Sequence, residues 1–172
     1  MLSPALLLLA LAPTAAPASP AAHSSNVDTR LGYLVGDWAI QGLPIKTFRQ
    51  KCAWSSGRAF VICTFQDQRN RTTGETIFGY SEFQRRFTWY HWDSRGRSVY
   101  QLGFPSGAYG IVFTDDRIEP EGSARTQTTI NLEDEGLRHT QYKSVQGAAW
   151  QRTADFFYVP AVQKRPAKKR RR

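Results

Sequence analysis

Apolar and polar residues alternate along most of the chain from residue 36 onward. A period of two is the pattern of a β-strand that buries one face and exposes the other. The 3.6-residue period of an amphipathic helix is not kept over three turns anywhere in the sequence. The pattern therefore predicts an all-β protein, with a short helical turn at 27–34 before the first strand.

Clusters of Gly, Asp, Asn, Ser and Arg divide this pattern into short segments. The predicted strands are 37–42, 45–54, 59–66, 76–83, 87–93, 98–104, 108–114, 125–132, 137–144 and 150–159. Short strands that recur about every ten residues are typical of an antiparallel barrel or sandwich. We predict a single antiparallel up-and-down β-barrel of about 8–10 strands with disordered termini.

The two cysteines support a meander of neighbouring strands. Cys52 and Cys63 flank the predicted turn at 55–58, so they would lie on adjacent antiparallel strands. Cysteines in such positions are close enough to be bridged. We predict a Cys52–Cys63 disulfide, as is usual in an exported protein.

The N-terminal segment has the features of an export signal. An apolar run at 6–11 is followed by Ala16-Pro17-Ala18, a small-x-small site, and no charged residue precedes Asp28. The first residues carry no Lys or Arg, which departs from the usual signal. We predict a signal peptide at 1–22, a linker at 23–30 and a periplasmic or extracellular protein without a transmembrane segment after cleavage.

The positive charge is concentrated in a C-terminal tail at 161–172. The formal net charge is +9, but without the tail cations 16 basic and 14 acidic residues remain. The tail cations are Lys164, Arg165, Lys168, Lys169, Arg170, Arg171 and Arg172. Two interpretations stay open: a solubilising tail with no partner, or a tail that binds anionic lipid or a cell-envelope polymer. We expect no specific nucleic-acid recognition.

Several motifs between residues 31 and 160 resemble those of calycin barrels. Gly36-Asp37-Trp38 resembles the Gly-x-Trp that opens the first strand of lipocalins. Later motifs resemble uncharacterised bacterial lipocalin-like domain proteins: Gly79-Tyr80, Trp89 to Asp93 with Ser94 and Gly96, and Gln146-Gly147 before Trp150. The resemblance implies a lipocalin-like barrel at 31–160.

The resemblance also assigns structural roles. It implies that Gly36 lets the chain bend tightly and that Trp38 seals the closed end of the barrel. In related barrels an Arg packs across this Trp, and either Arg138 or Arg152 fits that role. Nitrobindin-like barrels hold haem through a His on a late strand, but 150–159 contains no His. We therefore expect no cofactor.

Strand parity suggests residues for a ligand pocket. Phe87, Trp89 and His91 share one face of their strand, but Tyr90 and Trp92 occupy the other face, so the pattern does not decide which face is inside. We select as ligand-pocket candidates Tyr80, Trp89, His91, Tyr109 and His139. The alternative, in which these residues simply form the core of a filled barrel, is favoured over a pocket.

Acid–base chemistry is a weaker hypothesis. His91 and Asp93 share a strand face, Glu82 is on the preceding predicted strand, and His139 is a further candidate. The sequence does not show that these groups converge, so no catalytic residue is assigned. No Cys/His cluster has metal-ligand spacing, so no metal site is assigned.

The sequence thus leaves three functions, in order of preference. The first is an exported, non-catalytic barrel that binds a small apolar or amphipathic molecule. The second is a structural or adhesive envelope protein with a filled barrel, whose basic tail binds anionic surfaces. The third is a small-molecule enzyme that uses His91, Asp93 or His139.

Overall fold

The computed structural model of the protein describes residues 30–119 and 122–161, and gives no side-chain description at 116–119. The predicted signal peptide at 1–22 and the basic cluster at 164–172 lie outside these residues. A short 3-10 helix at Gly32–Leu34 precedes the strands. Within the described residues, no helix has the length and apolar character needed to span a membrane.

Ten strands follow the helix, in the order that the alternation predicts. Their bounds are β1 Gly36–Ile40, β2 Phe48–Trp54, β3 Phe60–Asp67, β4 Thr72–Ser81, β5 Arg86–Asp93, β6 Ser98–Pro105, β7 Gly110–Glu119, β8 Gly122–Glu133, β9 Gly136–Val145 and β10 Gln151–Pro160. Each strand is bounded by the turn residues that divide the sequence pattern.

The strands form a closed antiparallel barrel. Each strand pairs with the next along the chain, and β1 also pairs with β10, which closes the sheet. At the closure, Trp38 is opposite Pro160 on β10 and Gln50 on β2. Closure removes both free sheet edges, so all ten strands have two hydrogen-bonded neighbours. The predicted up-and-down barrel is confirmed.

The predicted disulfide is also confirmed. Cys52 and Cys63 are directly opposite each other on β2 and β3, with Cα atoms 4.0 Å apart, and their sulfurs are bonded. Both side chains are buried on the inner face of the barrel. The disulfide therefore joins two neighbouring strands from inside.

The two ends of the barrel differ in how they are filled. We call the end where β1 begins and β10 finishes the closed end, and the opposite end, where β5 finishes and β6 begins, the open end. Fully buried side chains that pack towards the closed end are Leu31, Val61, Phe87, Ile111 and Phe113. The 3-10 helix contributes Leu34 to the same core. This apolar layer forms the floor of the barrel.

Trp38 lies in this floor and is 9% exposed. Its Nε1 donates a hydrogen bond to the Leu34 carbonyl oxygen at 2.9 Å, so the indole ties β1 to the helix that precedes it. Gly36, which the resemblance assigns to a tight bend, is not among the residues with positive φ. Glycine is needed there because the indole folds back over it.

Neither arginine proposed to cover Trp38 does so. Arg138 and Arg152 both bind the Asp155 carboxylate on the outer face, at 3.2 and 2.9 Å. The Arg138 guanidinium also lies 5.0 Å from the Phe157 ring centroid. Strand parity explains the difference, because position 138 alternates with the inward-facing Leu137 and His139.

Candidate ligand cavity

A cavity of about 700 Å³ lies above the apolar floor, inside the barrel. Most of its wall is apolar and aromatic: Leu34, Trp38, Phe48, Cys52, Phe65, Phe78, Trp89, Val99, Ile130, Leu137, Phe156 and Tyr158. Polar side chains complete the middle of the wall: Gln50, Thr76, His91, Gln101, Thr126, Thr128, His139 and Gln141. The barrel is therefore not filled.

The cavity extends towards the open end. Exposed Arg97 and Ser98, at the start of β6, contribute to its lining, and so do Lys143 near the end of β9 and Thr153 near the start of β10. None of the described lining residues is acidic. A molecule that enters from this end would pass a basic and polar rim before it reaches the aromatic wall.

Three of the five candidate pocket residues meet in the cavity. The Trp89 ring centroid is 6.3 Å from that of His91 and 5.9 Å from that of His139. Trp89 and His91 come from β5, whereas His139 comes from β9, which is not a neighbour of β5 in the sheet. The contact therefore crosses the interior of the barrel.

The other two candidates lie outside the cavity lining. Tyr80 is half-buried and packs edge-on against Phe87, with ring centroids 5.2 Å apart, in the floor. Tyr109 is 58% exposed. Ile111 and Phe113 share its parity and point inward, but β7 begins only at Gly110. Tyr109 therefore lies beyond the rim of the closed end.

Two buried polar atoms in the cavity wall lack a hydrogen-bond partner within the described part of the chain: Trp89 Nε1 and Gln101 Oε1. Their side chains are 7% and 3% exposed. The Gln101 amide nitrogen donates to Thr126 Oγ1 at 3.1 Å, which holds the side chain in place. A donor and an acceptor are thus left unpaired within the wall of a mainly apolar chamber, where an unpaired polar group is costly.

Gln101 was missed by the sequence reasoning. The larger apolar residues of β6 are Tyr100, Leu102 and Phe104, and alternation alone would turn them inward. In the barrel they face out, and Gln101 faces in. The signal that could have found it is the ladder between β5 and β6, in which Trp89 pairs directly with Gln101.

The two cavity histidines are neutral near pH 7. Burial, together with the neighbouring His91, lowers the pKa of His139 to about 4. Burial also lowers the pKa of His91, against the opposing effect of Asp93. His91 Nδ1 lies 3.0 Å from Thr76 Oγ1, and the His91 ring stacks on Phe65. Neutral imidazoles suit an apolar chamber, because they carry no uncompensated charge.

The Asp93 carboxylate makes structural contacts within a turn. Its carboxylate accepts hydrogen bonds from Arg97 Nε at 2.7 Å and from the backbone N–H groups of Arg95 and Arg97. The bond with Arg97 is the main cause of the lowered pKa of Asp93. These contacts stabilise the β5–β6 turn. They also occupy the Asp93 carboxylate, so that it does not pair with His91.

Glu82 lies far from the histidines. β4 ends at Ser81, so Glu82 is in the exposed β4–β5 turn at the closed end, whereas Asp93 is at the open end. The acid–base group of His91, Asp93 and Glu82 is therefore not assembled. Within the described residues, no group of three or more His, Cys, Asp or Glu side chains is arranged to hold a metal ion.

A scan of the sequence against protein-family models gives no match, and a search of curated proteins gives none either. The geometry of the cavity is therefore the basis for assigning a function.

Proposed function

We propose that this protein is a non-catalytic barrel that binds a small, mainly apolar molecule in its interior. The observation that carries the proposal is the chamber of about 700 Å³ with Trp89 Nε1 and Gln101 Oε1 unpaired in its wall. Ligand pockets commonly have volumes of about 300–1,000 Å³, with apolar walls and a few placed polar groups. The chamber has these properties.

The polar atoms indicate what kind of molecule fits. Both atoms are themselves buried, so a ligand group with both an acceptor and a donor, such as a hydroxyl, an amide or a protonated carboxyl group, would pair with Trp89 Nε1 and Gln101 Oε1 after a rotation of these side chains. The rest of the ligand would contact the aromatic wall. Because His91 and His139 are neutral and the wall has no acidic residue, we expect the buried part of the ligand to be uncharged.

The chamber weighs against a filled, purely structural barrel. The lipocalin-like resemblance and the signal-peptide features support an exported protein as the setting of the proposed binding function. The Cys52–Cys63 disulfide supports export, because structural disulfides persist in oxidising compartments.

The test is native mass spectrometry of protein purified from its host without denaturation. We expect a bound small molecule that is released when the protein unfolds. Trp89→Phe removes the unpaired Nε1, and Gln101→Met removes the unpaired Oε1 together with the amide nitrogen that is bonded to Thr126 Oγ1. The affinity for the ligand should fall about fivefold for each hydrogen bond to it that is lost. Trp92→Phe and Gln66→Met make the same changes on the outer face and serve as controls, because both residues are exposed.

Two results together would contradict the proposal. One is the absence of any co-purified molecule. The other is a failure of the wild-type protein to bind an apolar fluorescent dye saturably, because a chamber of this size with an aromatic wall should hold one.

A further inference from the structure

The outer surface of β3 to β6 carries large apolar side chains that the proposed function does not use. On these strands the residues that line the cavity and floor, such as Trp89, point inward, so the alternate residues point outward. Six of the outward residues are large, apolar and between 37% and 47% exposed: Phe60, Ile62, Tyr90, Trp92, Tyr100 and Phe104. We call these six residues the outer apolar face. A patch of this kind is a common mark of an interaction site.

The outer apolar face is continuous across four strands. Ile62 on β3 pairs with Ile77 on β4, and Ile77 pairs with Tyr90 on β5. Tyr90 pairs in turn with Tyr100 on β6, with ring centroids 4.4 Å apart. These residues form one row perpendicular to the strands, about 14 Å long at the usual strand spacing. A partner surface could therefore contact all four strands at once.

The opposite side of the barrel has a charged outer surface. β9 and β10 lie across the ring of strands from β4 and β5. There Arg138 and Arg152 bind the Asp155 carboxylate, and nearby Arg49 on β2 binds Asp37 on β1. The outer surface is thus divided into a charged side and an apolar side, and the apolar side gains most from being covered. Because the barrel is closed, a partner has no free edge to extend and must pack face to face.

The outward positions of β3 to β6 hold two charged residues, one towards each end of the barrel. Glu75, on β4, is opposite Trp92 on the side of the open end. Arg86, at the start of β5, has its guanidinium 3.9 Å from the Phe104 ring centroid, on the side of the closed end. Arg86 is opposite Ser81, which is six residues from Glu75 along β4. The two charges are thus about 20 Å apart, too far to pair within one barrel.

We propose that two copies of this chain form a symmetric dimer through their outer apolar faces. A two-fold axis across the strands turns one barrel end over end against the other, so Arg86 of each copy comes close to Glu75 of the partner subunit. The same face is then used twice, as in most homodimers. The open ends of the two cavities point in opposite directions and stay uncovered. This association does not depend on the proposed ligand.

The size of the outer apolar face fits a small dimer interface. A completely buried aromatic side chain covers about 150–250 Å², so six residues exposed by 37–47% present roughly 500 Å² per molecule. Two such faces amount to about 1,000 Å², the lower limit for a specific interface. The enrichment of Tyr, Trp and Phe is also typical of interface cores. We therefore expect a reversible dimer with a dissociation constant on the order of 10 µM.

The experiment is sedimentation velocity of the purified protein from about 1 µM to about 1 mM. Wild type should pass from monomer to dimer across this range. Tyr90→Ser should raise the dissociation constant at least about tenfold, because a central ring is lost from both copies. Tyr109→Ser is the matched control, since Tyr109 is 58% exposed and lies outside the outer apolar face. It should leave the dissociation constant unchanged.

A charge swap tests the arrangement of the two copies. Glu75→Lys should raise the dissociation constant about fivefold at low salt, because it places two cations together, and Arg86→Glu should do the same with two anions. The double variant E75K/R86E brings opposite charges together again and should return to within about twofold of wild type. Such a recovery also shows that the single variants are folded. Glu135→Lys, in the exposed β8–β9 turn, repeats the charge change and should have no effect.

Four outcomes would overturn the proposal. A wild type that stays monomeric at the highest concentration has no such dimer. Equal weakening by Tyr109→Ser or Glu135→Lys would move the contact away from the outer apolar face. A double variant as weak as the single variants would contradict the end-over-end arrangement. Growth beyond a dimer would show that the contact is not two-fold.

Discussion

A Cβ atom at position 36 would lie 2.9 Å from Cε2 and Cζ2 of Trp38. Real Cβ contacts are essentially never this short, and the indole cannot easily retreat because its Nε1 is bonded to the Leu34 carbonyl. The Gly-x-Trp motif therefore works as a unit, in which the glycine makes space for the ring that fills the floor of the barrel.

Gly36→Ala should destabilise the protein by about 1–3 kcal/mol, because the added methyl group overpacks the floor. The free energy of unfolding from urea titration measures this change. Gly57→Ala is the matched control, since Gly57 has no positive φ and a Cβ there meets nothing within 4 Å. An unchanged free energy of unfolding for Gly36→Ala would contradict the packing account of the motif.

The disulfide should contribute about 2–3 kcal/mol to stability, because it closes a short loop in the unfolded chain. Reduction with dithiothreitol should lower the urea midpoint of wild type and raise its mass by two daltons. The double variant C52A/C63A should already be destabilised and should not respond to the reductant. Two reactive thiols in the untreated native protein would be inconsistent with the Cys52–Cys63 bond.

His139 should make stability fall with pH below neutrality. Its pKa is about 4 in the folded protein and about 6.5 in the unfolded chain, so the unfolded state binds more protons between these values. Stability is therefore full above about pH 6.5 and is lost as pH falls towards 4. The loss is at most about 3 kcal/mol, because part of the ring faces the cavity. Urea titrations across this range should show a shallower decline for His139→Gln.

The histidine pKa can also be measured directly. Proton NMR of the His139 ring should show a midpoint well below the usual value, and that of His91 should be lowered as well. A midpoint for His139 close to 6.5 would show that water reaches the ring freely.

Asp93 should stabilise the β5–β6 turn. Asp93→Asn keeps an acceptor for the backbone N–H groups but loses the charged contact with Arg97, whereas Asp93→Ala loses both. The urea midpoint should therefore fall in the order wild type, Asp93→Asn, Asp93→Ala. Because the pKa of Asp93 is lowered in the fold, its contribution is present near neutral pH and is lost as pH falls through that lowered value. Equal midpoints would contradict the assigned role.

The faces of the central strands show where pattern reasoning reaches its limit. On β5 both faces carry large rings, and the barrel places Trp89 inside and Tyr90 outside, packed against Tyr100 with ring centroids 4.4 Å apart. On β6 the apolar face is the outer one. A rule that buries apolar residues cannot predict which face of such a strand is inside, because a closed barrel can also carry aromatic pairs on its outer surface.

Strand ends set a second limit. Glu82 and Tyr109 have the parity of inward residues, but β4 ends at Ser81 and β7 begins at Gly110. A shift of one or two residues in a boundary therefore removed both from the interior. The parity of a residue gives the face of the strand on which its side chain lies. Whether that side chain reaches the barrel interior depends on where the strand begins and ends along the barrel axis.

The sequence by itself determined the ten strands, their antiparallel order and the cysteine pair, because alternation, turn residues and neighbouring hairpins are local properties of the chain. Only the tertiary structure decided that Trp89, His91 and His139 meet across an open chamber and that Gln101 faces it. Those contacts join strands that are distant along the chain, and they depend on the closure of β1 against β10 and on the stagger of all ten strands.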